Sequence, residues 1–351
     1  MTLLELCAID LPIIQAPMAG VSTPELAAVV SNAGALGSIG VGAVDADEAR
    51  RMIAAFRARS ERSLNVNVFC HQPAKANPRL ESGWLELLRP HFARYGATPP
   101  RELRQIYRSF VEDEAMLAAL LAEKPRVVSF HFGLPAAERI NALRNANIVL
   151  LASATSLTEA LAAQKAGVHA IVAQGYEAGG HRGIFDPEAG DDCLGTLALT
   201  RMLVRGLRVP VIATGGIMDG AGIAAALRLG AAAAQLGTAF IACPESAADA
   251  GFRRALASDS ASHTVMTRAI SGRAARCLRN RFTDLAAGVS VEQIPAYPIA
   301  YDAGKALNAA AKAAGEPGFG AQWAGQGAPL ARALPAAELV RVLVAELHAS
   351  E

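Results

Sequence analysis

The stretch Ala170 to Gly183 reads AIVAQGYEAGGHRG, a short apolar run followed by a glycine-rich loop that carries one histidine. An apolar run of this length suits a parallel strand that is covered on both faces, and glycines let a backbone approach a ligand closely. The pattern therefore predicts a buried parallel strand that delivers His181 at its carboxyl end.

Other apolar runs of strand length lie on both sides of this stretch. The predicted strands are Ile13–Ala16, Leu36–Ile39, Leu64–Phe69, Val127–Phe132, Ile148–Ala152, Ala170–Ala173, Val211–Ala213 and Ala233–Leu236. Helical patterns follow most of them, and polar caps open those at Thr23–Asn32, Ser156–Lys165 and Asp219–Leu229. Alternating short strands and helices predict an α/β fold, a closed TIM (β/α)8 barrel. An open doubly wound sheet is the alternative, although the glycines at 37–42 lack the dinucleotide-binding spacing.

Two intervals are too long for a minimal barrel. Between Cys70 and Lys124, helical patterns at Trp84–Phe92 and Arg101–Leu121 predict a helical insertion over about residues 71–122. The interval from Pro244 to Gly327 predicts a smaller substrate-binding or lid subdomain inserted after strand eight. The predicted organisation is a cofactor-binding barrel over 1–243, a lid over 244–327, and a C-terminal stretch over 328–351 whose helix, Leu334–His348, returns to the barrel.

The composition disfavours several classes of partner. Lys+Arg 33 against Asp+Glu 32 leave a formal net charge of +1, so the basic surface that nonspecific nucleic-acid binding needs is missing. The N-terminal residues lack the basic and apolar regions of a signal peptide, and the longest apolar run, Ala221–Cys243, is broken by Arg228 and Gln235. The five cysteines are dispersed along the chain, which is typical of a protein whose thiols stay in the reduced state. We expect a cytoplasmic protein without membrane or nucleic-acid partners, and its oligomeric state stays open.

Glycines follow the seventh and eighth predicted strands, where barrels of this type tend to bind phosphate groups. The two loops are Thr214–Ile217 and Gly237–Thr238. Their backbone N–H groups, the helix that starts near Asp219 and the Thr238 hydroxyl predict a phosphate cradle. The alternative is that the glycines serve only tight turns.

Amide side chains and a thioether are predicted at the same mouth of the barrel. Gln15 and Met18 lie at the end of the first strand, Asn65 and Asn67 on the third, and Gln174 at the end of the sixth. Amides suit a planar heterocycle with alternating donors and acceptors, such as an isoalloxazine. A buried Asn also commonly satisfies local backbone groups, so this reading stays open for each residue alone.

Six motifs together resemble class I of the nitronate monooxygenase family, formerly called 2-nitropropane dioxygenases. The motifs are QAPMAG, NVNVF, AQGYEAGGHRG, ATGGI, QLGTAF and YPIAYDAGK, and the match runs in order over essentially the whole chain. The resemblance implies a TIM barrel over residues 1–243 that binds FMN noncovalently and needs no metal. The chain departs from a common version of the first motif at Val21, where that version has a second glycine.

The resemblance also implies roles for single residues, with His181 as the catalytic histidine. The implied flavin contacts are Met18, Asn67, Gln174, Gly179, Gly180, Gly216, Gly237, Thr238 and Gln326. The implied substrate wall is Tyr107, His131, Tyr297, Tyr301 and Lys305. A histidine in this place can donate a hydrogen bond to a nitronate oxygen or act as a base toward a neutral nitroalkane.

Lys305 favours one particular substrate. Lysine occurs only five times in the chain, and Lys305 follows Tyr301 by four residues and Tyr297 by eight. If the segment is helical, the three side chains share one face, which could hold a substrate carboxylate. We therefore expect propionate 3-nitronate, a nitronate with a distal carboxylate, as the substrate.

The reaction implied by the resemblance is oxidation of an alkyl nitronate with O2 through one-electron transfer to flavin. The products would be an aldehyde, here malonic semialdehyde, and nitrite or nitrate. One alternative keeps the FMN barrel as an NAD(P)H-dependent reductase of quinones or enoyl thioesters, although no second nucleotide motif is present. Another is a phosphate-binding isomerase, lyase or noncatalytic protein. A thiol nucleophile at Cys70 beside His71 lacks a third orienting group.

Overall fold

Eleven strands are present in the computed structural model, which describes residues 1–350. In chain order they are β1 (Ile13–Gln15), β2 (Gly37–Gly40), β3 (Leu64–Phe69), β4 (Val127–His131), β5 (Val149–Ala154), β6 (Ala170–Gln174), β7 (Gly180–His181), β8 (Val211–Thr214), β9 (Ala233–Leu236), β10 (Thr264–Thr267) and β11 (Ala275–Leu278).

Eight of these strands form a parallel sheet in the order β1-β9-β8-β6-β5-β4-β3-β2. The two ends of this sheet meet where the Gln15 N–H donates to the Leu36 carbonyl at 2.9 Å, beside a parallel bridge between Ile14 and Leu36. This contact closes the sheet into a barrel. All eight predicted strands are present, and the TIM barrel prediction is confirmed.

Helices cover the outside of the barrel. The α-helices are α1 (Leu3–Cys7), α2 (Pro24–Asn32), α3 (Ala46–Arg57), α4 (Pro78–Arg94), α5 (Glu114–Glu123), α6 (Ala137–Asn145), α7 (Leu157–Ala166), α8 (Thr196–Gly206), α9 (Gly220–Arg228), α10 (Thr238–Ile241), α11 (Ala250–Leu256), α12 (Arg281–Leu285), α13 (Ile299–Ala313) and α14 (Ala336–Ala349). The predicted caps are confirmed, since the side chains of Thr23, Ser156 and Asp219 each accept a backbone N–H from three residues further on. Within residues 1–350, no helix has both the length and the apolarity to cross a membrane.

The helical pattern predicted over Arg101–Leu121 is wrong for its first half. Helix α5 begins only at Glu114, because the Asp113 side chain accepts the Met116 N–H at 3.0 Å and caps it there. The preceding residues are tied to the end of β3 instead, where the Phe110 N–H donates to the Phe69 carbonyl at 2.8 Å. Helix α5 packs on α3 and α6 and follows the β/α alternation of the barrel, so the extra material here is α4 and the irregular segment 95–113.

A second, antiparallel sheet joins the barrel to the segment after β9. Its order is β10-β11-β7, and the central pairing places His181 opposite Ala275 and Gly180 opposite Arg276. Strand β7 is part of the loop that follows β6, so one side of this sheet comes from the barrel. Helix α13 packs on α4, and α14 packs on α2 and α9 of the barrel wall.

Candidate active site

One cavity of about 550 Å³ lies at the carboxyl ends of the barrel strands. Its walls come both from the barrel and from residues 247–327, with α13 along one side. Every residue to which the family resemblance assigns a role lines this cavity, except Gln326. Gln15 and Asn65, also predicted at the barrel mouth, do not line it, because their side chains bond inside the barrel to Ser22 and Ser38. The Gln326 side chain is exposed, and its backbone N–H donates to the Glu177 carbonyl at 2.9 Å. The chain therefore brings residues from distant motifs to one place.

The glycine loops form one end of the cavity. The backbone N–H groups of Gly216, Gly237 and Thr238 make no hydrogen bond to any group in residues 1–350. Gly216 has a left-handed φ of +72°, and a side chain at Gly237 would approach Met18 Sδ to 3.7 Å. Free N–H groups lined by glycine fit a bound phosphate.

The contribution predicted for the start of α9 is wrong. Its first N–H, on Gly220, donates to the Glu346 carboxylate at 2.9 Å, and the N–H of Gly222 donates to Asp219 at 2.8 Å. These two carboxylates already occupy the positive end of the helix. The Thr238 hydroxyl does lie in the cradle, where it accepts the Gly325 N–H at 3.0 Å and keeps its own proton to donate.

Two amide side chains at the cavity serve different purposes. The Asn67 amide nitrogen donates to the Ser129 carbonyl and hydroxyl at 3.1 and 3.0 Å, while its Oδ1 has no partner within residues 1–350. Gln174 has both polar atoms engaged by the protein, because its Nε2 donates to the His181 carbonyl at 2.9 Å and its Oε1 accepts the Gly183 N–H at 2.7 Å. Asn67 can therefore bind a ligand, and Gln174 holds the histidine loop in place.

His181 lies in strand β7 and is surrounded by aromatic rings. Its ring centroid is 5.0 Å from that of Trp323, 5.3 Å from Tyr297 and 5.6 Å from Phe132. Burial lowers the pKa of His181 well below its ordinary value of 6.5, and His131 acts in the same direction. The imidazole is therefore neutral near neutral pH, and its Nε2 lies 2.9 Å from the Ser271 hydroxyl.

His131 has both ring nitrogens engaged by the protein. Its Nδ1 lies 2.9 Å from the Ser153 hydroxyl, and its Nε2 lies 3.2 Å from the His181 carbonyl. Burial lowers the pKa of His131 to about 4, so this ring is neutral too. Neutral Nε2–H can donate to the carbonyl that Gln174 also binds. His131 thus lines the cavity and also fixes the backbone at His181.

The tyrosine and lysine residues of the predicted substrate wall come together on the side of α13. Tyr301 and Lys305 lie one turn apart on this helix, and Tyr297 precedes its first residue. The Lys305 Nζ lies 5.0 Å from the ring centroid of Tyr107 and 5.5 Å from that of Tyr301. Partial burial lowers the pKa of Lys305. No carboxylate in residues 1–350 forms an ion pair with this cation.

Ser271 and Arg273 were not predicted as site residues, although both lie directly behind His181. Arg273 is 5% exposed, stacks over the Phe132 ring at 4.3 Å and donates to the Ile184 carbonyl. Phe132 itself has a left-handed φ of 73°, which is unusual for a residue with a side chain. The only sequence signal was the short run SGR at 271–273, which has no obvious chemistry by itself.

The Cys70–His71 pair carries no nucleophile. Burial raises the pKa of the Cys70 thiol far above its ordinary value of 9.0, which keeps it protonated. The two nitrogens of His71 are buried without a hydrogen-bond partner in residues 1–350. This outcome agrees with the absence of an orienting group noted in the sequence.

The fold and the cavity define a class of enzyme. Barrels of this fold carry their chemistry at the carboxyl ends of the strands, and here unpaired backbone N–H groups of two glycine loops, a free amide oxygen and a neutral histidine line one cavity at that face. These groups suit a planar cofactor with a phosphate tail. This arrangement is that of a flavin-dependent oxidoreductase.

Similarity to known proteins identifies the family. The family model described as nitronate monooxygenase matches residues 1–346. A nitronate monooxygenase from Paraburkholderia phytofirmans is 64% identical over 348 residues, which cover 99% of this chain and 95% of that protein. One from Pseudomonas aeruginosa is 54% identical over 98% of each chain. The solved structure of nitroalkane oxidase from Streptomyces ansochromogenes has a TM-score of 0.90 and 42% identity, covering 99% of this chain and 98% of that one.

The chain therefore belongs to the nitronate monooxygenase family, as its motifs predicted. It is a flavin-dependent oxidoreductase that acts on a small nitronate with molecular oxygen.

Proposed function

We propose that the protein is an FMN-dependent monooxygenase of propionate 3-nitronate, with malonic semialdehyde and nitrite or nitrate as products. The observation that carries the proposal is Lys305, a partly buried cation at the cavity that forms no ion pair with a carboxylate in residues 1–350, although Asp302 acts on it at longer range. A cation held between phenol rings suits an anion brought by the substrate. The distal carboxylate would bind there and leave the nitronate carbon near His181.

The FMN would be held by residues of the barrel mouth. Its phosphate fits the free N–H groups of Gly216, Gly237 and Thr238, and its ring fits beside Met18 and the Asn67 amide oxygen. Gly179, Gly180 and Gln174 shape the loop over it, and Gln326 would close it off by its backbone link to Glu177. The bound flavin supplies the electron acceptor for the nitronate and the route of electrons to O2.

The remaining side chains bind and orient the substrate. Tyr107, Tyr297 and Tyr301 form a wall that excludes water, and burial raises the pKa of all three phenols, so none adds a negative charge. An anionic nitronate in this cavity would therefore be surrounded by one cation and by uncharged rings. We further propose that residues 244–327 act as the substrate lid on an FMN-binding barrel of residues 1–243, with residues 328–351 returning to the barrel.

The substrate assignment can be tested by substituting Lys305 with Met. Oxygen consumption is measured with propionate 3-nitronate and with propyl 1-nitronate, which has the same carbon chain without the carboxylate. We expect Lys305→Met to raise KM for propionate 3-nitronate by about tenfold or more, because a hydrogen bond to a charged group contributes about 1.5–3 kcal/mol. The KM for propyl 1-nitronate should change by less than about twofold.

Lys312→Met is the matched control for that experiment. Lys312 lies two turns further along α13 and is paired with Asp249. Lys312→Met should therefore change the KM for the two nitronates to the same extent. Equal effects of Lys305→Met on both nitronates would remove the carboxylate site. A flavin that is bleached by NADH but not by either nitronate would replace the proposal with an NAD(P)H-dependent reductase.

A further inference from the structure

Ser271 lies behind His181 with its hydroxyl within reach of three groups. The side chain is 0% exposed. Its Oγ is 2.9 Å from His181 Nε2, 3.2 Å from the Arg273 carbonyl and 3.4 Å from the Arg273 backbone nitrogen. One small hydroxyl therefore has to satisfy a ring nitrogen, a carbonyl and an N–H.

The hydroxyl has one proton, and the Arg273 carbonyl decides where it goes. No other donor in residues 1–350 reaches this carbonyl, and Arg273 is buried. If Ser271 donated to His181, the carbonyl would stay unpaired, which is unfavourable for a buried polar group. If Ser271 donates to the carbonyl, its oxygen accepts the Arg273 N–H and a proton carried by His181 Nε2. The second arrangement satisfies every group.

The other nitrogen of the ring faces the cavity. His181 Nδ1 has no hydrogen-bond partner in residues 1–350, and the atom keeps some accessible surface. It is therefore open to the cavity that His181 lines. We propose that Ser271 is a positioning residue that holds His181 in the tautomer protonated on Nε2, so that Nδ1 presents a lone pair to the substrate.

This tautomer gives His181 a defined role toward a neutral nitroalkane, and that role rests on the proposed function. The C–H bond next to the nitro group breaks, its electron pair stays on the substrate as the nitronate, and the proton moves to Nδ1. The resulting imidazolium keeps its Nε2–H on Ser271. The groups that face the ring are His131, His71, Tyr297, Tyr301 and the Arg273 cation, so no carboxylate competes for this proton.

The tautomer can be read directly by NMR on the FMN-bound enzyme with isotope-labelled histidine nitrogens. His181→Asn identifies the His181 signals. We expect the Nε2–H pattern in the wild type and in Ser271→Thr, which keeps the hydroxyl, and its loss in Ser271→Ala. Ser153→Ala is the matched control, because it removes the hydroxyl at His131 and should move only the His131 pattern. An Nδ1–H pattern in the wild type, or an unchanged pattern in Ser271→Ala, would overturn the proposal.

The proton transfer is tested by comparing nitroethane with preformed ethyl nitronate. We expect Ser271→Ala to lower kcat/KM for nitroethane by at least about tenfold, with Ser271→Thr restoring it and the nitronate changing less than about threefold. Bound-flavin absorbance shows whether each variant is folded. Equal losses on both substrates, or a wild type that oxidises only the nitronate, would overturn the acceptor role. A wild type inactive on both would refute the proposed function instead, and the NMR result would still decide the tautomer.

Discussion

His71 is a buried residue whose polar atoms are left unpaired beside the cavity. It is 1% exposed, and neither ring nitrogen has a hydrogen-bond partner in residues 1–350. Its ring meets that of Tyr297 edge-on at a centroid distance of 5.0 Å. Burial lowers the pKa of His71 to about 4, and the Arg273 cation acts in the same direction. His71 therefore couples the stability of the protein to pH.

We predict that His71→Leu makes the stability less sensitive to acid. The unfolded chain binds a proton at His71 below its ordinary pKa of 6.5, whereas the folded ring stays neutral down to about 4. Unfolding therefore takes up a proton in this window, and the free energy of unfolding falls as the pH is lowered through it. His71 accounts for roughly 3 kcal/mol of this fall, at about 1.4 kcal/mol per unit of pKa.

The measurement is denaturant unfolding of the wild type and His71→Leu across that pH window. The variant should show a shallower loss of stability, with the remaining slope coming partly from His131, whose pKa is also lowered to about 4. At neutral pH the variant should be at least as stable, because it removes two unpaired polar atoms. An unchanged slope would mean that the pKa of His71 is not lowered in the folded protein, as when its ring nitrogens gain a hydrogen-bond partner in solution.

Sequence reasoning found the cavity residues that lie inside recognisable motifs and missed those that act through a distant contact. His181 stands in a glycine-rich loop at the end of a strand, so its position could be predicted. Ser271 is 90 residues away from it along the chain. Their contact depends on the pairing of β7 with β11, and a two-residue strand leaves no periodic signal.

At the level of elements, the loop after β6 packs against the chain that returns from α13. A side chain at Gly179 would come within 2.5 Å of the Gly325 nitrogen and 2.6 Å of the Ala324 carbonyl carbon. Both neighbours are backbone atoms, which cannot move aside as a flexible side chain does. This close approach brings the return segment down beside the proposed FMN site.

We predict that Gly179→Ala separates these two segments and weakens FMN binding by about tenfold or more, the effect of losing about 1.4 kcal/mol of contact. Gly96→Ala is the control. A side chain there meets nothing within 4 Å and Gly96 lies outside the cavity, although its left-handed φ of +65° costs about 1–2 kcal/mol of stability. FMN titration by fluorescence and thermal unfolding separate the two effects. Equal FMN affinity in both variants would contradict the prediction.

The strands and the insertion show where sequence patterns succeed and fail for elements. Short apolar runs between helices predicted the barrel because both faces of each strand are buried. The segment 101–113 carries a helical pattern, yet its backbone is held by the end of β3 through Phe110. Tertiary contacts overrode local preference there, and this is how Tyr107 reaches the cavity.

At the scale of the whole molecule, helix α14 completes the wall of the barrel. Its large buried side chains are Leu339, Val340, Leu343 and Leu347, which share a core cluster with residues of α2 and α9. The helix is also held at each end, since the Ala336 N–H donates to Glu245 at 3.0 Å and Glu346 accepts the Gly220 N–H. Residues from the end of the chain thus stabilise elements near its beginning.

We predict that a chain truncated after Leu334 loses cooperative unfolding. Each of the four buried side chains contributes about 1.5–3 kcal/mol, or roughly 6–12 kcal/mol together, which is comparable to the whole stability of a typical domain. Thermal unfolding followed by circular dichroism is the measurement. Arg341→Ala, an exposed substitution on the same helix, should change stability by less than about 0.5 kcal/mol. A truncated chain with the midpoint of the full chain would show that α14 is dispensable.

The two-residue strand at Gly180–His181 limits how this fold can be recombined between relatives. Its partners at Ala275 and Arg276 belong to the segment after the barrel, so His181, the proposed catalytic histidine, is aligned by a part of the gene well downstream of its own motif. A chimera that takes residues 1–243 from one parent and residues 244–327 from another keeps both strands but can shift their register. Crossovers that leave 180–181 and 275–276 in the same parental block should yield active enzymes more often than crossovers between them.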